Sequence, residues 1–295
     1  MSGRIACVAR LLAHACVAVG ALGTCKPDFG ERASLVTAPR LLAVRAEPPE
    51  AAPGGTVTFT PLVASSDGTV AGLHVGWAFC ATSKPLGEND VVGADCLGTA
   101  VRPISEGPTA VAVMPSDACA LFGPEPPPGA RPRDADVTGG FYQPLRAALG
   151  GAPTIALLRV VCNLGSASAD VAANFKARYH ANKNPALSIE VPTSASPGAR
   201  LTFHASWPAG DAEAYVAFDG ATQTVEGRRE AMRVSWFVSD GALDADHTGR
   251  DESDPQTATD DAWTAPSSAG IVHVWVVLRD SRGGVDFAGA DVSVR

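Results

Sequence analysis

The densest run of side chains able to hold a ligand lies late in the chain. Asp244, Asp246, Asp251, Glu252, Asp254, Asp260 and Asp261 fall within eighteen residues. Asp244-Ala245-Asp246-His247-Thr248-Gly249 offers oxygen donors at positions 1, 3 and 5 of a turn with glycine at 6, the opening of a calcium loop. Such a loop closes with a bidentate Glu at position 12, where this chain has Pro255, so an EF-hand is excluded. Two readings stay open: a looser calcium site on Asp244, Asp246, Thr248 and Glu252, or a solvated acidic loop that keeps the chain in solution. No other cofactor is expected.

Catalytic chemistry finds little to use. GxSxG, HExxH, GxxxxGK[ST] and GxGxxG are absent, and the six histidines are dispersed with no metal-ligand spacing between any two. The chain therefore reads as non-enzymatic, with a hydrolase assembled from distant His and Asp as a rival. Its net charge of −8 argues against a nucleic-acid partner. The charge is uneven: residues 184–295 carry 8 basic and 17 acidic groups, residues 25–183 carry 13 and 14.

Sulfur chemistry is more informative. Leu11 to Gly23 is apolar except for His14 and follows Arg4 and Arg10. These 13 residues are too few to span a bilayer, which takes ~20, and suit a secretory leader over 1–24. The run ends Leu22-Gly23-Thr24-Cys25, which resembles a bacterial lipobox, so Cys25 is expected to carry lipid and anchor the protein to a membrane. Cleavage near Gly23 without lipid is the alternative. Removing Cys7, Cys16 and Cys25 leaves Cys80, Cys96, Cys119 and Cys162, an even set suited to two disulfides in an oxidising compartment. Of the three pairings, Cys80–Cys96 closes a local loop and leaves Cys119–Cys162. No CxxC or CxxH supports zinc.

The elements that position these groups are strands. Hydrophobic residues make up 46% of the chain, charged residues 18%, and 30 Gly with 23 Pro favour many turns. Residues 25–40 read as a tether. Beyond it Val57 and Phe59 alternate with Thr56, Thr58 and Thr60, and Val75, Trp77 and Phe79 alternate up to Cys80. An internal repeat appears. Pro53-Gly54-Gly55-Thr56-Val57-Thr58-Phe59 recurs as Pro197-Gly198-Ala199-Arg200-Leu201-Thr202-Phe203, and Val75-Gly76-Trp77 recurs as Val234-Ser235-Trp236. A third match sets Ile155–Cys162 and Val171–Tyr179 against Ile271–Leu278 and Val285–Val294, and on that ground Val171–Tyr179 is expected to be a strand. Trp77 and Trp236, on cleanly alternating strands, read as core.

These motifs resemble bacterial immunoglobulin-like domains of the PKD type, and the chain as a whole resembles Ig-like surface lipoproteins of GC-rich bacteria. The ratio of 19 Arg to 4 Lys fits such a source. The resemblance implies an all-β protein of two tandem immunoglobulin-like β-sandwich domains, 41–183 and 184–295, the first with a long loop insertion at about 104–153. Phe141 and Tyr142, beside Gly139 and Gly140 in that insertion, are candidates for partner contact. The implied function is adhesion, envelope assembly or ligand capture on an envelope or surface protein or glycan. An accessory carbohydrate- or calcium-binding protein is the alternative. With a lipid at Cys25, the acidic second domain would be the one farther from the membrane.

Overall fold

A computed structural model describes residues 32–70, 72–84, 92–124 and 136–295. The expected leader, Cys25 and most of the proline run 124–129 lie outside the described residues. The strands of the first half are β1 (Arg40–Glu47), β2 (Glu50–Ala51), β3 (Thr56–Ser65), β4 (Gly68–Thr69), β5 (Val75–Cys80), β6 (Val101–Gly107), β7 (Ala110–Val113), β8 (Phe141–Leu149) and β9 (Ala152–Val160). Two short helices, α1 (Ala94–Leu97) and α2 (Ala118–Phe122), interrupt them. One sheet places β3 between β1 and β7, with β4 at the end of β3. The other runs β2-β9-β8-β5-β6, and β2 joins β9 in parallel. Phe59 and Val63 from one sheet meet Trp77, Phe79 and Leu145 from the other.

Helix α3 (Ala169–Arg178) leads to β10 (Ser188–Glu190), β11 (Ser194–Ala195), β12 (Arg200–Ser206), β13 (Ala214–Asp219), β14 (Thr224–Arg229), β15 (Met232–Val238), β16 (Ala242–Leu243), β17 (His247–Arg250), β18 (Ala258–Thr264), β19 (Gly270–Asp280) and β20 (Val285–Val294). The sheets are β10-β12-β18-β16 and β11-β20-β19-β15-β17, and the two-residue β11 again joins the last strand in parallel. Phe203 and Trp263 pack there against Trp236, Val274 and Val276. Both halves are thus sandwich-like and share one strand order. The repeated Pro-Gly segments open β3 and β12, and the Val-x-Trp segments lie in β5 and β15. Trp77 and Trp236 are buried. The hairpin β13–β14 is an addition to the second half that packs against α3.

Three expectations are corrected. Val171–Tyr179 is helix α3 almost throughout, not a strand. Ser168 caps it by accepting from the Val171 N–H at 3.4 Å, Asp170 sits in the first turn and Lys176 and Arg178 in the last, and Phe175 stacks on Tyr179 at 5.0 Å. The third repeat match also fails in register, because Ile155 lies in β9 and Ile271 in β19, strands that hold different places in the shared order. Second, 104–153 is not a loop insertion: it contains β7 and β8, and β8 is hydrogen-bonded to both β5 and β9. Prolines at 103, 108, 115 and 144 break its alternation and disguise these strands. Third, residues 33–39 are not a free tether. The Val36 N–H donates to the Val238 carbonyl at 2.8 Å and the Val238 N–H to the Ser34 carbonyl at 2.9 Å, while Val36 is fully buried. The chain runs along β15 of the second sandwich before β1 begins the first.

Candidate functional site at the junction of the two sandwiches

Strand β19 is apolar from Val274 to Leu278 because both of its faces are covered there. Val272, Val274, Val276 and Leu278 enter the second core. Trp275 and Val277, with Phe237, Val285 and Phe287, face outward and pack on Leu42, Ala43, Leu62 and Ala64 of β1 and β3. The Trp275 Nε1–H reaches Thr69 Oγ1 at 2.8 Å. The two sandwiches therefore share a dry seam.

A buried ionic network borders that seam. Arg282, in the β19–β20 turn, is fully buried. Its Nε donates to Glu230 at 2.6 Å, its Nη2 to Glu213 at 2.8 Å and its Nη1 to the His180 carbonyl at 2.9 Å, and the guanidinium lies over the Tyr215 ring. Asp280 accepts from the N–H groups of Arg282 at 2.8 Å and Gly284 at 2.9 Å. Asn182 joins the halves: its side chain donates to Asp280 at 3.2 Å and its N–H to Glu50 of β2 at 2.9 Å. Glu50 also accepts from the Tyr179 hydroxyl and lies 3.8 Å from Arg159 Nε. Arg159 Nη1 donates to Thr138 Oγ1 at 2.6 Å and to the Tyr142 hydroxyl at 3.1 Å. A Cβ at Gly140 would stand 2.0 Å from Arg159 Nη1, so any larger residue there would force the guanidinium to move.

Four carboxylates, Glu50, Glu213, Glu230 and Asp280, meet two guanidinium groups in this network. Burial, reinforced by the Asp280 charge and opposed by Arg282, pushes Glu230 up to about 7. Burial likewise raises Asp280, and burial with the Glu50 charge pushes the Tyr179 hydroxyl up to about 12.

Next to the network is a cleft of about 570 Å³. It lies on the flank of the first sandwich, between β1 on one side and β8 and β9 on the other. Leu41, Val44, Phe59, Leu145, Ala156 and Leu158 line its body, and Arg279, Asp280, Ser281 and Gly283 of the second sandwich close one end. This size suits a small ligand. Phe141 and Tyr142 line it too. They belong to β8, not to a flexible loop, and the Tyr142 hydroxyl is tied to Asp136 at 2.7 Å.

The expected calcium ligands are not brought together. Asp244 pairs with Arg200, Asp246 accepts from Ser34 Oγ at 2.5 Å, Thr248 Oγ1 accepts from Trp236 Nε1 at 2.8 Å, and Glu252 pairs with Arg228 at 2.8 Å. Each oxygen is drawn to a different partner, and among the described residues no group of three or more His, Cys, Asp or Glu is placed to hold a metal. His204 and His273 each contact an Asp on the neighbouring strand, Asp260 at 2.6 Å and Asp291 at 2.7 Å, on separate sheets. Disulfides join Cys80 to Cys96 and Cys119 to Cys162. Arg279, Arg282, Glu230 and Asn182 escaped the sequence reading. The apolar run Val274–Leu278 of β19 and the Asn182-Lys183-Asn184-Pro185 joint were the available signals.

No protein-family model matches the chain, and no curated protein matches it in sequence. Solved structures match it only loosely. The adhesin InvE of Yersinia pseudotuberculosis aligns at 12% identity over 90% of this chain and 62% of its own, with a TM-score of 0.24. Red sea bream transglutaminase aligns at 12% identity over 88% of this chain and 32% of its own, with a TM-score of 0.27. The native conformation of E. coli alpha-2-macroglobulin aligns at 10% identity over 87% and 17%, also at 0.27. The chain spans less than two thirds of each of these proteins. Among the described residues no helix is long and apolar enough to cross a membrane. The molecule is a β-rich, sandwich-like protein.

Proposed function

We propose that this chain is an exported, lipid-anchored envelope protein without enzymatic activity, whose two immunoglobulin-like modules serve adhesion, assembly or ligand capture. The observation that carries this reading is the junction. An apolar seam and a buried ionic network hold the two sandwiches in one orientation, and a cleft opens where they meet. A rigid pair with a cleft at its joint suits binding, since a preorganised surface loses little freedom on association. The arrangement of β10-β12-β18 facing β20-β19-β15 supports the immunoglobulin-like assignment, matching strands A-B-E and G-F-C of that fold. Two disulfides support an oxidising compartment.

Fractionation of cells making the full chain tests the proposal. The protein is expected in the membrane fraction, and Cys25→Ala is expected to move it to the soluble envelope fraction. An unprocessed cytosolic chain with four free thiols among Cys80, Cys96, Cys119 and Cys162 overturns it.

A further inference from the structure

The cleft holds one charge that the fold does not balance. Strand β19 presents Trp275, Val277 and Arg279 on its outer face, and Arg279 reaches the end of the cleft. Its guanidinium has five donors. Two of them make long contacts: Nη1 with Ser235 Oγ at 3.3 Å and Nη2 with the Leu42 carbonyl at 3.2 Å. Leu42 can offer that carbonyl because it is the bulged residue that the β1–β3 register skips. Among the described residues no carboxylate pairs with Arg279. The residue directly across the β15–β19 ladder is Arg233, a like charge. Burial first, and Arg233 second, push the Arg279 pKa down.

Charges taken out of water are ordinarily matched by a counter-charge. The two carboxylates that line the cleft, Asp136 and Asp280, are each satisfied by several hydrogen-bond donors. Asp136 accepts from the Thr138 and Gly140 N–H groups, the Thr138 hydroxyl and Tyr142. Asp280 accepts from Asn182, Arg282 and Gly284. Away from this end the lining is aliphatic and aromatic, and Leu157 stands exposed beside it. A ligand filling the cleft must be apolar along β1 and β9 and negative at Arg279. We propose that the cleft binds a single-chain amphiphile with a carboxylate head, its chain lying between β1 and β9 and its head on Arg279. This rests on the ligand-capture reading of the junction and names the ligand class for it. The free carboxylate is the assigned source, and phospholipid is an outcome of the test.

The test titrates the purified full chain with cis-parinarate and reads its fluorescence. A saturable rise is expected, displaced by laurate but not by dodecanol, which has the same chain and no charge. Arg279→Gln should weaken binding by about tenfold or more, the loss of one charge-assisted contact. Ala156→Phe, which fills the cleft without touching Arg279, should weaken it similarly, and circular dichroism melts confirm that both variants fold. Where Arg279→Gln does not fold, Arg279→Lys replaces it and should keep the preference for laurate over dodecanol. The proposal is overturned by no saturable signal, by equal displacement with dodecanol, by unchanged affinity in Arg279→Gln, by a lost preference in Arg279→Lys, or by anionic phospholipid vesicles competing as well as laurate. None of these outcomes touches the fractionation result, so the ligand class and the export reading fail separately.

Discussion

The two sandwiches share a strand order yet are held together by different means. The second has no cysteine, and its core is filled by Phe203, Trp207, Trp236 and Trp263 around an eleven-residue β19. The first has one tryptophan, Trp77, and lines much of its core with Ala51, Ala110, Ala112, Ala118 and Ala147. A buried aromatic removes ~150–250 Å² from water, at roughly 25 cal/mol per Å², so replacing such residues with alanine forfeits several kcal/mol. The first sandwich has two cross-links where the second has rings: Cys80–Cys96 ties the end of β5 to α1, and Cys119–Cys162 ties α2 to the chain beyond β9. One architecture can therefore be stabilised by volume or by cross-links, and the cleft lies on the flank of the cross-linked copy.

The comparison predicts where each copy breaks. The largest effect is expected from Arg282→Ala, which strips the buried cation from Glu230 and Glu213. Removing one partner of a buried pair costs about 3–5 kcal/mol, and equilibrium urea unfolding should report that loss. A change within about 0.5 kcal/mol would mean that the network contributes nothing net. Reduction comes next. A thiol reductant should cost about 2–4 kcal/mol per bridge, and hydrogen exchange should accelerate in β5, α1 and α2 while β15 and β19 stay protected. Equal acceleration in β19 would show that the copies are not separately maintained.

The third effect is a dependence on pH. Glu230 sits near 7 in the folded protein against an ordinary 4.5. Between these values the folded state holds a proton that the unfolded chain has released. This contribution to stability is thus complete below the unfolded value and lost as pH rises through about 7. Asp280 is raised as well and acts in the same direction. The urea midpoint should fall between about pH 5 and pH 8, and Glu230→Gln should flatten the fall whatever its own cost in stability. An equally steep fall in the variant would assign the proton elsewhere.

What was legible in the sequence follows the same division. Strands with clean alternation, such as Val57–Phe59, could be read because one face meets a core and the other does not. Segments with two buried faces or none misled. Strand β8 carries Pro144 and a buried Gln143, which erase its period, although it is central to its sheet. Helix α3 buries no residue fully, so its alternation of Ala with polar groups has no packing meaning. The acidic run 244–261 looked like one site because its residues are close in sequence. The chain turns between β16 and β17, and Asp244, Asp246 and Thr248 each meet a different partner there. The junction was invisible for the converse reason: Glu50, Arg159, Asn182, Glu230 and Arg282 are far apart in sequence, and each alone reads as a surface residue.

The smallest expected effect concerns the segment that precedes β1. Ser34, Leu35 and Val36 lie along β15 where β17 has ended, so they extend a sheet of the second sandwich although the chain then enters the first. Ser34 Oγ donates to Asp246 at 2.5 Å, and Ser34 is itself buried. Ser34→Ala leaves the backbone pairing intact and removes this one bond, which should cost about 1 kcal/mol, with a little more for the acceptor left behind. Asp246 also lies among the acidic groups around Asp261, whose own pKa burial raises, so the released carboxylate adds repulsion that salt will screen. The loss in Ser34→Ala should therefore shrink as sodium chloride is raised, measured by the urea midpoint at low and high salt. A loss independent of salt would reduce the contact to a plain hydrogen bond. No loss at all would show that the backbone pairing alone holds the leading segment on the second sandwich.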